Sequence, residues 1–88
     1  MITKDYVIYA AEGIHARPAT ALVKLARTFK AAIHLKKDDK TIALNSMLNI
    51  LAMATKGGDT LTVTVEGEDE NEAAAALDTF FTEQLKHL

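Results

Sequence analysis

The clearest pattern in the chain lies at residues 60–66. Leu61, Val63 and Val65 alternate there with Thr60, Thr62, Thr64 and Glu66. Period-two alternation predicts a strand with one apolar face and one polar, threonine-rich face, hence a sheet covered on one side only. Residues 2–9 also alternate and include Tyr6, Val7, Ile8 and Tyr9, a β-rich composition that predicts a first strand. Ile33 and Leu35 alternate with His34 and Lys36, and Ile42 and Leu44 with Thr41 and Ala43. The polar run Lys37-Asp38-Asp39-Lys40 between them predicts a hairpin turn. His34 falls on the polar phase of its strand and is expected to be exposed, as is His87 near the end of the chain.

Elsewhere the period is helical. Ala19, Leu22, Val23, Ala26 and Phe29 recur at helical spacing, which predicts a helix from about Ala16 to Lys30. Asn45 and Ser46 are both good caps, and they precede Met47-Leu48-Asn49-Ile50-Leu51-Ala52-Met53. A short second helix should start there, apolar on more than one side. Either it is buried, or its free face docks a partner, for which methionines are well suited. Lys56-Gly57-Gly58-Asp59 predicts a turn. Asp69 followed by Glu72 reads as a capping box. It opens a last helix with Ala73, Leu77, Phe80, Phe81 and Leu88 on one stripe, to be laid on the apolar sheet face. The order β-α-β-β-α-β-α, with helices on one face of an antiparallel sheet, makes an α+β sandwich of two layers.

Eighty-eight residues form one domain, 1–88, because there is no room for two cores. The hydrophobic fraction of 49% is enough for a packed core. There is no cysteine, so thiolate chemistry and a disulfide framework are excluded, which fits a reducing compartment. No leader pattern is visible, and no apolar run approaches the roughly 20 residues that span a bilayer, so the expected location is the cytoplasm, without membrane insertion. The three histidines are scattered, and no metal site or cofactor is expected.

The net charge of −2 is unevenly spread. Arg17, Lys24, Arg27, Lys30, Lys36 and Lys37 lie between Gly13 and Lys37 with no acid among them, whereas residues 38–88 hold ten acids and three bases. A basic segment of this kind suits an acidic or phosphorylated protein partner, or is simply a solvated face. Nucleic acid is disfavoured, because the chain is acidic overall and lacks a basic and aromatic cluster.

That basic segment begins at Gly13-Ile14-His15-Ala16-Arg17-Pro18. Pro18 suits the first turn of a helix, where a missing N–H costs nothing. His15 therefore falls at the mouth of the first helix, beside unpaired backbone N–H groups. Those donors and the helix dipole attract anions, and Arg17 adds a fixed positive charge. Both features disfavour protonation of the imidazole, and a neutral imidazole is a nucleophile. An exposed histidine is often only a loop residue. With the helix mouth, the arginine and the proline around it, this one reads as a side chain that accepts and holds a phosphoryl group.

The motif from Gly13 to Pro18, continued by Ala19-Thr20, resembles the active-site motif of HPr, the histidine-containing phosphocarrier family of the bacterial sugar phosphotransferase system. The resemblance covers the whole chain, including Ser46 before a short apolar helix and Gly67-Glu68-Asp69-Glu70 before the last one. It implies an open-faced sandwich of four antiparallel strands and three helices. It implies a phosphoryl group on the δ nitrogen of His15, steadied by Arg17 and by the backbone N–H groups of Ala16 and Arg17. It implies enzyme I as donor and the IIA units of sugar permeases as acceptors, with the protein, a monomer, as their substrate rather than an enzyme. Partner docking would fall to Arg17, Thr20, Lys24 and Arg27 on the first helix and to Met47, Leu48, Ile50 and Leu51 on the second. Ser46 matches the serine that HPr kinase/phosphorylase modifies in many Gram-positive members, which links such members to a catabolite-control transcription factor. A helix-capping serine needs no such role, and both readings stand. The alternative in another class is an HPr-like regulatory module that docks on a transcription factor or enzyme.

Four residues depart from the family pattern. Glu12 puts a carboxylate where many members have a small polar residue. It favours a protonated imidazole and should repel an incoming phosphoryl group, opposing Arg17. Gram-positive members commonly carry a lysine before the serine, and a glycine and a serine in the following helix. Asn45, Asn49 and Ala52 stand at those places here, so the docking surface is altered.

Overall fold

The computed structural model describes residues 1–10 and 12–88; Ala11, in the expected loop before His15, lies outside the described residues. The elements follow in the order β1 (Ile2–Val7), α1 (Ala16–Ala26), β2 (Ala32–Lys37), β3 (Lys40–Ala43), α2 (Met47–Ala52), β4 (Thr60–Glu66) and α3 (Glu70–Thr79). These are the expected elements in the expected order. The strands form one antiparallel sheet ordered β1-β4-β2-β3.

The register puts Tyr6 opposite Leu61 and Leu35 opposite both Val63 and Ile42. Strand alternation then gathers Leu35, Leu61, Val63 and Val65 on one face, where all four are buried. Thr60 and Glu66 are exposed on the other face, and Thr62 and Thr64 half-buried. α3 packs on β1 and β4, and α1 against α2 and α3. Leu22 and Leu77 close the layer between them, at 0% and 1% exposure. Truncating such a side chain to alanine typically costs about 2–5 kcal/mol. The result is an open-faced α+β sandwich.

Three local expectations are corrected. α1 ends at Ala26 rather than Lys30. The Thr28 and Phe29 N–H groups donate to the Leu25 and Ala26 carbonyls, a tightened three-residue spacing. The Thr28 hydroxyl also donates to the Leu25 carbonyl at 2.7 Å, so local bonds replace the next helical turn. β1 ends at Val7; Ile8 exchanges backbone hydrogen bonds with Gly58 and Asp59, and Tyr9 stands in solvent.

Asp69 does precede α3, but its side chain caps nothing. Its carboxylate instead accepts the Lys30 and Ala31 N–H groups, each at 2.8 Å, and pins the end of the α1–β2 connection. Glu70 accepts the Gly67 N–H in turn. Beyond α3 the chain widens into a π-helical turn at Phe80–Gln84 and closes in a 3-10 turn at Leu85–His87. The extra residue per turn lets adjacent Phe80 and Phe81 both reach the core, where Phe81 stacks on Tyr6.

Candidate functional site

His15 is the N-cap of α1, in extended backbone (φ −92°, ψ −169°). Its carbonyl accepts the Ala19 N–H at 3.0 Å, while its side chain caps nothing and is left for other work. The N–H groups of Ala16 and Arg17 belong to the first turn, which has no intrahelical acceptors, and Pro18 has no N–H to offer. No acidic residue stands in that turn. The mouth is therefore electropositive, as expected from the sequence. Pro18 is buried, while Arg17 is exposed beside the mouth.

The loop is held by the segment that follows α2. The Ile14 N–H donates to the Thr55 carbonyl at 3.2 Å, and Ile14 itself is buried. Gly13 has φ +67°, and a Cβ there would overlap the Thr55 carbonyl oxygen and stand 2.7 Å from the Lys56 Cα. Only glycine satisfies both demands at low cost.

The imidazole is 36% exposed. Its Nε2 lies 3.2 Å from a carboxylate oxygen of Glu12, which is 79% exposed. The acid thus sits on the ε side of the ring, away from the δ nitrogen. Lys86, Leu85 and Leu88 line the same hollow as His15 and Glu12. Sequence reading missed this C-terminal wall. No local signal marks it, since residues 85–88 reach His15 only through the packing of the last turns.

The remaining site residues group around α1 and α2. Arg17 and Lys24 on α1, and Arg27 at its C-cap, are exposed, and Thr20 lies among them at helical spacing. The Thr20 hydroxyl is 3.0 Å from the Met47 sulfur, so the two helices meet there. Met47 and Leu48 are exposed at 39% and 75%, whereas Ile50 is 1% exposed and Leu51 half-buried. α2 is thus both buried and open, on opposite sides. As a docking residue Ile50 is corrected, because it anchors the helix in the core. Ser46 is the N-cap of α2, its hydroxyl accepting the Asn49 N–H at 3.5 Å.

Lys37 also leaves the basic surface. Its ammonium donates to the Met53 and Ala54 carbonyls and pairs with Asp59 at 3.0 Å, clamping the end of α2. The Lys56 N–H and Lys37 together hold the Asp59 carboxyl below the usual carboxylate range. His34 and His87 are exposed, as expected. Among the described residues, no three of His, Cys, Asp and Glu gather as a metal site, and no helix is long and apolar enough to cross a membrane.

An open-faced sandwich with a partly exposed histidine at a helix mouth on its surface fits the class of small HPr-like domains. Residues 2–83 match the family model for the PTS HPr component phosphorylation site. The phosphocarrier protein HPr of Lysinibacillus sphaericus is 42% identical over 83 residues, 94% of either chain. The HPr-like protein Crh of Halalkalibacterium halodurans is 33% identical over 84 residues, covering 96% of this chain and 100% of its own. Among solved structures, HPr-C-His from Thermoanaerobacter tengcongensis superposes with a TM-score of 0.91 at 31% identity, over 100% of this chain and 98% of that one. The chain belongs to the HPr family of phosphocarrier proteins.

Proposed function

We propose that this chain carries a phosphoryl group on His15, taking it from enzyme I and passing it to the IIA units of sugar permeases, as a cytoplasmic monomer. The observation that supports this most is the placing of His15 as the N-cap of α1, with its side chain free of capping work. The Nδ1 lone pair attacks the donor's phosphorus, and the bond from phosphorus to the donor breaks with its electron pair leaving on the donor. The helix-mouth N–H groups and Arg17 then face the phosphoryl oxygens and stabilise their charge. The basic residues of α1 and the exposed Met47 and Leu48 form the docking face, with Ser46 at its edge as a site for a regulatory kinase.

A second reading is an HPr-like regulatory module that acts on a transcription factor or enzyme, and the similarity to an HPr-like protein, Crh, keeps it in view. His15 argues against a purely regulatory role. Incubation with enzyme I and phosphoenolpyruvate, followed by intact mass under non-acidic conditions, separates the two. One added phosphoryl group, lost in His15→Ala, is expected. No addition, or addition that persists in His15→Ala, would leave the regulatory reading.

A further inference from the structure

Glu12 meets the imidazole of His15 through Nε2, at 3.2 Å. A carboxylate is an acceptor only, and a neutral imidazole has one N–H to give. That N–H belongs where the acceptor is, which leaves the lone pair on Nδ1. Arg17, in the first turn of α1, and Lys86, in the same hollow, are donors and cannot accept a ring N–H; the carboxylate of the last residue, Leu88, also belongs to that hollow, but the acid paired with Nε2 is Glu12. We propose that Glu12 is a positioning residue for His15: it fixes the Nε2–H tautomer and so presents Nδ1 as the nucleophile.

The consequence for phosphoryl transfer rests on the carrier reading above; the tautomer does not. When the Nδ1–phosphorus bond forms and the donor's bond breaks, the proton on Nε2 stays in place. The ring then holds a formal positive charge beside the Glu12 carboxylate. The negative charge expected to repel the phosphoryl group thus stands across the ring from it.

Two variants divide the effect. Glu12→Gln keeps an oxygen that can accept the Nε2–H, whereas Glu12→Ala removes it. Nitrogen-15 NMR of the imidazole, recorded at alkaline pH, reads the tautomer directly. The wild type and Glu12→Gln should be mostly Nε2–H, and Glu12→Ala should lose that excess several-fold. Chemical phosphorylation with phosphoramidate, read by phosphorus–nitrogen coupling, should shift several-fold from Nδ1 towards Nε2 in Glu12→Ala. Thermal unfolding should not move, because the Glu12 side chain lies in solvent. A Glu12→Ala protein with the wild-type tautomer would overturn the proposal. Failure of the carrier reading looks different: no phosphoryl group would pass from enzyme I to the wild type, while the tautomer result would stand by itself.

Discussion

Gly13 is pressed against the Thr55 carbonyl so closely that no Cβ fits between them. The contact joins the loop before His15 to the segment after α2, and the Ile14–Thr55 hydrogen bond repeats the link one residue on. Gly13→Ala must displace one strand of this contact and also hold an alanine at positive φ, a strain of about 1–2 kcal/mol before any clash. The expected outcome is a loss of about 2–3 kcal/mol in denaturant unfolding, together with slowed phosphorylation of His15, because the loop that aims the imidazole moves. Unchanged stability would show that the loop absorbs the Cβ.

Arg17 should serve transfer rather than folding. Its side chain is exposed at the helix mouth, and one charge-assisted hydrogen bond to a phosphoryl oxygen is worth about 1.5–3 kcal/mol. Arg17→Ala is therefore expected to slow transfer from enzyme I by roughly one to two orders of magnitude, at 1.4 kcal/mol per factor of ten. The melting temperature should stay within a degree or two. Stopped transfer assays with wild-type rates would mean that the Ala16 and Arg17 N–H groups hold the phosphoryl group without help.

Ser46 caps α2, and aspartate caps as well as serine does. Ser46→Asp should preserve thermal stability. It puts a negative charge at the edge of the Met47 and Leu48 patch, where it opposes an acidic partner and the desolvation of that patch. Transfer from enzyme I should slow several-fold while the unfolding curve stays in place. Incubation with HPr kinase and ATP tests the regulatory role separately, with a family member labelled in parallel. Asn45, Asn49 and Ala52 alter the surface such a kinase would read.

Asp69 gives the fold a dependence on acid. The Lys30 N–H foremost, and the Ala31 N–H with it, hold its carboxyl below the usual carboxylate range. A depressed folded value means that the contribution to stability is complete above the unfolded value, about 3.9. It is lost as pH falls through the lower, folded value. Asp69→Asn, which offers one acceptor oxygen where the carboxylate offers two, should melt several degrees below the wild type at pH 7. The gap should narrow below about pH 4, as the wild-type carboxylate is protonated. A gap constant down to pH 2 would show that the two backbone bonds do not depend on the charge.

What the sequence determined by itself was local. Alternation in Thr60–Glu66 and helical spacing in Ala19–Ala26 are set by which face of each element must leave water, and those faces can be read without neighbours. His15 at a helix mouth and Ser46 as a cap were legible for the same reason, since a helix start is set within its own turn. Tertiary structure decided whatever joins distant residues. It chose the strand order β1-β4-β2-β3, because several pairings of these strands would bury the same faces. It turned Asp69 from its own helix to the Lys30 and Ala31 N–H groups, and took Lys37 from the surface to the end of α2. It set Glu12 on the ε side of His15 and brought Lys86 to the same hollow. Each of these is a choice among partners equally good in chemistry, and only the packed chain fixes which partner is near.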